Sequence, residues 1–145
     1  MDDFKSYTLK DKQKEDVVSL VKHELESRVE IIFSYIYGSF IESEMPFFRD
    51  IDIGVYVSKD IVLPDQFIDY TLSLSLEIES FLNRYPIDVV VMNDAPLTLL
   101  FKITQGRLLF AKNEDLWTDL VTKTWALYHD HNITSRDLLE QLIKA

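Results

Sequence analysis

Apolar positions change period several times along the chain, and each change marks an element. Val17, Leu20, Val21 and Leu25 fall at i, i+3, i+4 and i+8, with Lys and Glu between them. That stripe predicts an amphipathic helix over Asp11 to Glu26. Ile31 to Tyr37 (IIFSYIY) has no helical period and is rich in β-branched and aromatic residues, so it predicts a buried strand, ended by Gly38-Ser39. A connector from Phe40 to Arg49, which includes Pro46, leads to a second strand over Ile51 to Val57 (IDIGVYV). Ser58 to Pro64 reads as a loop. Asp65 to Leu82 reads as a long helix, largely buried through Phe67, Leu72, Leu74, Leu76, Ile78 and Phe81. A turn over Asn83 to Pro86 precedes a third strand, Ile87 to Met92. Asn93-Asp94-Ala95-Pro96 breaks it, with Asp94 placed to cap the next helix. Leu97 to Thr104 reads as that helix, with Gly106 at its C′ position, and Arg107 to Ala111 as a short edge strand. Glu114 to Tyr128 predicts a helix with Trp117, Leu120, Val121, Thr124 and Tyr128 on one side. A polar break at His129 to Asn132 separates it from a last helix, Ser135 to Lys144, striped by Leu138, Leu139 and Leu142.

Connector lengths constrain the topology. About ten residues link the first two strands, too few for a parallel crossover, so they pair antiparallel. The link from the second strand to the third is long and contains a helix, which suits a right-handed crossover between parallel strands. The fold class is therefore α/β (α+β): a small mixed sheet of three or four strands packed with helices and ending in helix. A chain of 145 residues with three Gly and four Pro has room for one core and few long linkers, and predicts a single domain over 1–145.

Composition narrows the function. The net charge of −10 opposes direct binding of nucleic acid, and the sequence shows no Lys/Arg cluster to overcome it. There is no cysteine, which excludes disulfides and thiolate metal sites and fits a reducing, cytoplasmic setting. The N-terminus lacks the apolar core of a signal peptide, and the longest apolar runs are strand-sized, so no membrane association is expected.

Where the strands end decides the chemistry. With the first pair antiparallel and the second parallel, Gly38-Ser39, Asp50, Asp52 and Asp88 all arrive at one sheet edge. Asp50 and Asp52 are two apart and project from one face. Asp88 lies within PIDVVVM, a run in which an acid is destabilising unless it is partnered or binds a cation. Three carboxylates in one place repel one another, and a hard divalent cation such as Mg2+ relieves that repulsion. Asp50 and Asp52 can bridge two metal ions, or one ion and a nucleotide-borne ion. Asp88 can join the metal that activates an attacking hydroxyl, or accept its proton. Gly38 lets backbone approach a phosphate, and Ser39 offers its hydroxyl and N–H to the terminal phosphates.

Gly38-Ser39, ten residues, then Asp50-Ile51-Asp52 resembles the G-S-x10-D-x-D signature of the minimal nucleotidyltransferase (MNT) family, within the polymerase-β-like nucleotidyltransferase superfamily. Ile87 to Asn113 is similar to the family's later segment, in which an acid opens a strand, a proline-containing loop follows, and a helix ends in Gly before an apolar strand. The resemblance spans about Ile31 to Trp117 and implies the polymerase-β-like fold, with ATP as substrate and Mg2+ as cofactor. It also implies the antitoxin half of a HEPN–MNT toxin–antitoxin pair, which transfers AMP to a tyrosine of the HEPN ribonuclease toxin and binds it, as a homo-oligomer or as a hetero-oligomer with the toxin. A non-catalytic partner-binding antitoxin and a nucleotidyltransferase acting on a small molecule are the alternatives.

The chain departs from the family pattern in the connector. Family members often carry a small residue, Arg and Gly soon after the Ser; this chain has Phe40-Ile41-Glu42-Ser43. Arg49 stands where a Ser often precedes the D-x-D, and is the candidate to replace the phosphate-binding arginine. Arg107, His23, the His129-Asp130-His131 triplet, Trp117, Trp125 and Tyr128 read as surface or packing residues.

Overall fold

The computed structural model describes residues 7–42, 47–82 and 85–144, with side chains described as far as residue 130. In chain order the elements are β1 (Tyr7–Thr8), α1 (Asp11–Glu26), β2 (Ile31–Tyr37), α2 (Ser39–Glu42), β3 (Phe47–Phe48), β4 (Ile51–Val57), α3 (Phe67–Phe81), β5 (Ile87–Val91), α4 (Leu97–Thr104), β6 (Arg107–Ala111) and α5 (Glu114–Lys144). Short 3-10 turns, Pro64–Gln66 and Met92–Asp94, precede α3 and follow β5.

The main sheet runs β5-β4-β2-β6. β2 pairs antiparallel with β4 and with β6, and β4 pairs parallel with β5, as the connector lengths require. Both faces are covered, which is why β2 and β4 read as nearly continuous apolar runs. On one face α1 supplies Val17, Val18, Val21 and Leu25, and α3 supplies Leu74 and Ile78, against Ile36, Ile53, Val55 and Val89. On the other, Phe33, Tyr35, Tyr37, Met92 and Ile103 form a second core, roofed by Leu116, Trp117 and Leu120 of α5. Trp117 Nε1 donates to the Tyr35 hydroxyl at 2.7 Å, and Trp125 Nε1 to Thr104 Oγ1 at 3.0 Å. Tyr128 stacks on Phe101, so the three aromatic residues of α5 pack as expected.

Four expectations are corrected. Leu20 is 53% exposed, and Val18 takes its place, because the buried seam of α1 runs through Lys14, Val17, Val18, Val21 and Leu25. Leu72, Leu76 and Phe81 are also exposed, because α3 meets the sheet along Phe67, Leu74 and Ile78 alone. The break expected at His129 to Asn132 is absent: α5 is continuous from Glu114 to Lys144. That stretch contains no Gly or Pro, and polar residues alone do not end a helix. Asp94 makes no cap, since Pro96 is the N-cap of α4 and has no side-chain bond. Its neighbour Asn93 is used instead: the side chain accepts from Val57 N and donates to Val57 O, each at 2.9 Å, closing the end of β4.

The connector is more structured than its sequence suggests. It holds α2, and then β3, which pairs antiparallel with β1. Phe48 of β3 packs edge-on against Phe40 and Tyr85. Pro46, Asn83 of the turn before β5, the His131 side chain and the Leu138, Leu139 and Leu142 side chains lie outside the described residues. No described helix is long and apolar enough to cross a membrane.

Candidate active site

The sheet register assembles the site. Tyr37 on β2 stands opposite Asp52 on β4, and Asp52 stands opposite Asp88 on β5. Directly opposed residues project from the same face, so these three form one row at the edge where β2 ends and β4 and β5 begin. Asp50 lies immediately before β4. Ile51 N donates to Pro86 O at 2.9 Å, tying the start of β4 to the approach of β5. The four residues Gly38, Asp50, Asp52 and Asp88 are thus gathered from three separate stretches of chain.

Gly38 has φ +79°, a conformation that side chains disfavour. A methyl group there would sit 3.3 Å from Asp52 Cγ and closer still to its Oδ2, so the carboxyl rests against the glycine. The Gly38 carbonyl accepts from Ile41 N at 3.2 Å and Glu42 N at 3.0 Å, which turns the chain into α2. Ser39 is exposed at the start of that turn, and Arg49 is exposed directly before Asp50.

Crowding is visible in the protonation of Asp52. Its pKa is pushed up to about 6, first by burial, then by the charges of Asp50 and Asp88; Lys102 opposes the shift and Glu42 adds to it. The Tyr37 phenol, on a side chain only 3% exposed, is likewise pushed up by burial and then by Asp52, Asp88 and Asp50. Tyr37 and Lys102 therefore belong to this environment, although sequence reasoning passed over both. Tyr37 could have been found as the residue before the glycine elbow, on the same strand face as the acids. Lys102 gives no local signal, because its place depends on how α4 docks.

The donor set suits a hard divalent cation: carboxylate oxygens only, with Asp52 kept partly protonated near pH 6 by burial and then by its acidic neighbours. Among the described residues, no three His, Cys, Asp or Glu side chains are already drawn together as a metal site. Asp50, Asp52 and Asp88 would close onto an ion rather than offer a finished cage. The other sequence candidates lie elsewhere. Arg107 is held by both carboxylate oxygens of Glu15 at 2.9 Å, and the exposed His129 ring meets Trp125 O at 2.8 Å.

No curated protein matches the chain. Solved structures do. A chain from the complex of a tri-AMPylated Shewanella oneidensis HEPN toxin with an MNT antitoxin superposes with a TM-score of 0.63 at 19% identity, covering 90% of this chain and 98% of that one. A chain from a toxin–antitoxin complex with AMP-PNP gives 0.61 at 20% identity, over 90% and 98%. A chain from the toxin–antitoxin complex MntA–HepT gives 0.60 at 19%, over 90% and 99%. These likenesses are of fold. The sequence match is to the family model described as polymerase beta, nucleotidyltransferase, and it runs over residues 19–115. It takes in two thirds of the chain, including the glycine elbow and all three acids, and so the chain belongs to the polymerase beta nucleotidyltransferase family.

Proposed function

We propose that this chain is a nucleotidyltransferase antitoxin, which moves AMP from ATP to a tyrosine of a cognate HEPN-family ribonuclease toxin and thereby silences it. The observation that carries the reading is the Tyr37–Asp52–Asp88 row, with the Asp52 carboxyl seated on Gly38. Such an edge suits a ligand that brings positive charge to the acids and phosphate to the elbow. The choice of toxin partner is supported by the likeness to antitoxin chains, one of them from a complex whose toxin is AMPylated. The acidic character, net −10, favours a protein acceptor over a nucleic acid.

In this reading Asp50 and Asp52, with Asp88, would hold Mg2+, which would supply positive charge to offset the phosphates in an in-line displacement. Gly38 admits the triphosphate close to backbone, Ser39 donates to its terminal phosphates, and Arg49 flanks it. The acceptor hydroxyl oxygen forms a bond to the α-phosphorus, the α–β phosphoanhydride bond breaks, and pyrophosphate leaves. Asp88, the most exposed of the three acids, would either join in holding the metal or take the hydroxyl proton.

The test is label transfer. The protein is incubated with ATP labelled at the α-phosphate, Mg2+ and the HEPN-family product of the neighbouring gene. Label is expected on the toxin, falling at least about 100-fold in Asp50→Asn and Asp52→Asn. Tight toxin binding without label, unchanged by those substitutions, would overturn catalysis and leave an antitoxin that acts by occlusion.

A further inference from the structure

Between Ser39 and Arg49 the connector carries no Lys or Arg. Of the cations Lys14, Arg49, Lys102 and Arg107, three are engaged among the described residues. Lys14 Nζ donates to Phe40 O at 3.0 Å and lies 5.3 Å from the Phe40 ring centroid. Arg107 is bound by Glu15, and Arg49 also has a partner. Lys102 is exposed and makes no hydrogen bond or ion pair among the described residues.

Its neighbours fix its position. Ile103 is fully buried over Gly54, where an added methyl would meet Ile103 Cγ2 at 2.8 Å. Gly54 lies two residues beyond Asp52 on the same strand, so it shares that face of the sheet. Phe101 stacks on Tyr128, and Thr104 Oγ1 accepts from Trp125 Nε1 at 3.0 Å. Gly106, just past the helix, packs against the Tyr37 backbone and its Cβ, where a methyl would come within 2.6 Å of the latter. With Phe101 and Thr104 committed to α5, Ile103 to Gly54 and Gly106 to Tyr37, the last turn of α4 sits over the face of the sheet that carries the acids, and Lys102 stands exposed on that turn.

We propose that Lys102 is a phosphate-contacting residue of the nucleotide site, delivered by α4. This rests on the reading of the edge as a nucleotide site. An exposed lysine on that turn that makes no hydrogen bond or ion pair among the described residues is available to a polyanion at the edge. Its loss has opposite consequences for the two ligands. Nucleotide loses a charge-assisted contact, whereas a bare divalent ion loses a repelling neighbour.

The experiment is a pair of calorimetric titrations at fixed ionic strength, Mg·ATP and Mg2+ alone, on wild type, Lys102→Ala and Lys102→Arg, with thermal melting as a fold control. In Lys102→Ala the Kd for Mg·ATP is expected to rise ~10-fold. The Kd for Mg2+ alone is expected to stay level or fall. Lys102→Arg should recover most of the nucleotide affinity. Unchanged Mg·ATP affinity in Lys102→Ala would overturn the proposal. So would equal weakening toward both ligands with a lowered Tm, which is the mark of a structural role. Wild-type protein that binds no Mg·ATP would overturn the nucleotide-site reading itself, and the role of Lys102 with it.

Discussion

Asp52 is the residue at which the competing demands of the site meet. Burial, and then the charges of Asp50 and Asp88, hold its pKa at about 6 in the folded chain, against an ordinary value of 3.8. Between those two values the folded state binds more protons than the unfolded state, so stability falls as pH rises from about 4 to 6 and is level above. A shift of that size corresponds to at most about 3 kcal/mol, less what water screens at a half-buried edge. Asp52→Asn should therefore raise the Tm of the metal-free protein at pH 8 and leave it unchanged near pH 4. Melting curves across that range check this, and a gain that is the same at both pH values would reject the origin in ionisation. Gly38→Ala should act differently. It forces a side chain into φ +79° and against the Asp52 carboxyl, costing about 1–2 kcal/mol of stability. Under the proposed function the rate of AMP transfer should fall further, by about 100-fold, because Asp52 would hold the metal there. Parallel melting and label-transfer measurements separate the two effects. Both residues were legible in the sequence, since motif spacing and connector length place them together. Tyr37 and Lys102 were not, because strand register and helix docking bring them in.

Elements were legible to the extent that one signal fixed them. β2 and β4 fall on the predicted residues, because β-branched runs bounded by Gly38-Ser39 and Ser58 admit little else. α3 was placed but its packing was misread. Its apolar residues lie on two sides, and composition does not say which side meets the sheet. Substitution can tell them apart. Leu74 is 2% exposed, and Leu74→Ala should cost about 2–5 kcal/mol. Leu72 and Leu76 are 60% and 66% exposed, and changing either to Gln should alter stability by no more than about 0.5 kcal/mol. Urea denaturation of the three variants measures this directly. A large loss in the Leu72 or Leu76 variant would mean that this face is covered in the protein as purified. β1 and β3 escaped notice because a ribbon of two residues per strand leaves no period to detect.

On the scale of the whole molecule, the charge of −10 and the acidic edge make separable contributions to the response to salt. Like charges spread over the surface are relieved by any electrolyte, and monovalent salt suffices, because the Debye length at 0.1 M is already about 10 Å. The edge formed by Asp50, Asp52 and Asp88 is different, since a divalent ion held there, as proposed, would bind the folded chain alone. By mass action, an ion at ten times its Kd adds about 1.4 kcal/mol, or about 3–5 °C in Tm for a chain of this length. NaCl should therefore raise the Tm of wild type and Asp52→Asn alike. MgCl2 at matched ionic strength should raise wild type further, and chelation should remove only that excess. Asp52→Asn should show no excess at all. Equal melting of wild type in the two salts would mean that the carboxylates, though gathered by the fold, do not hold a metal without nucleotide. The ion would then enter with the triphosphate, and the excess should reappear when ATP is added.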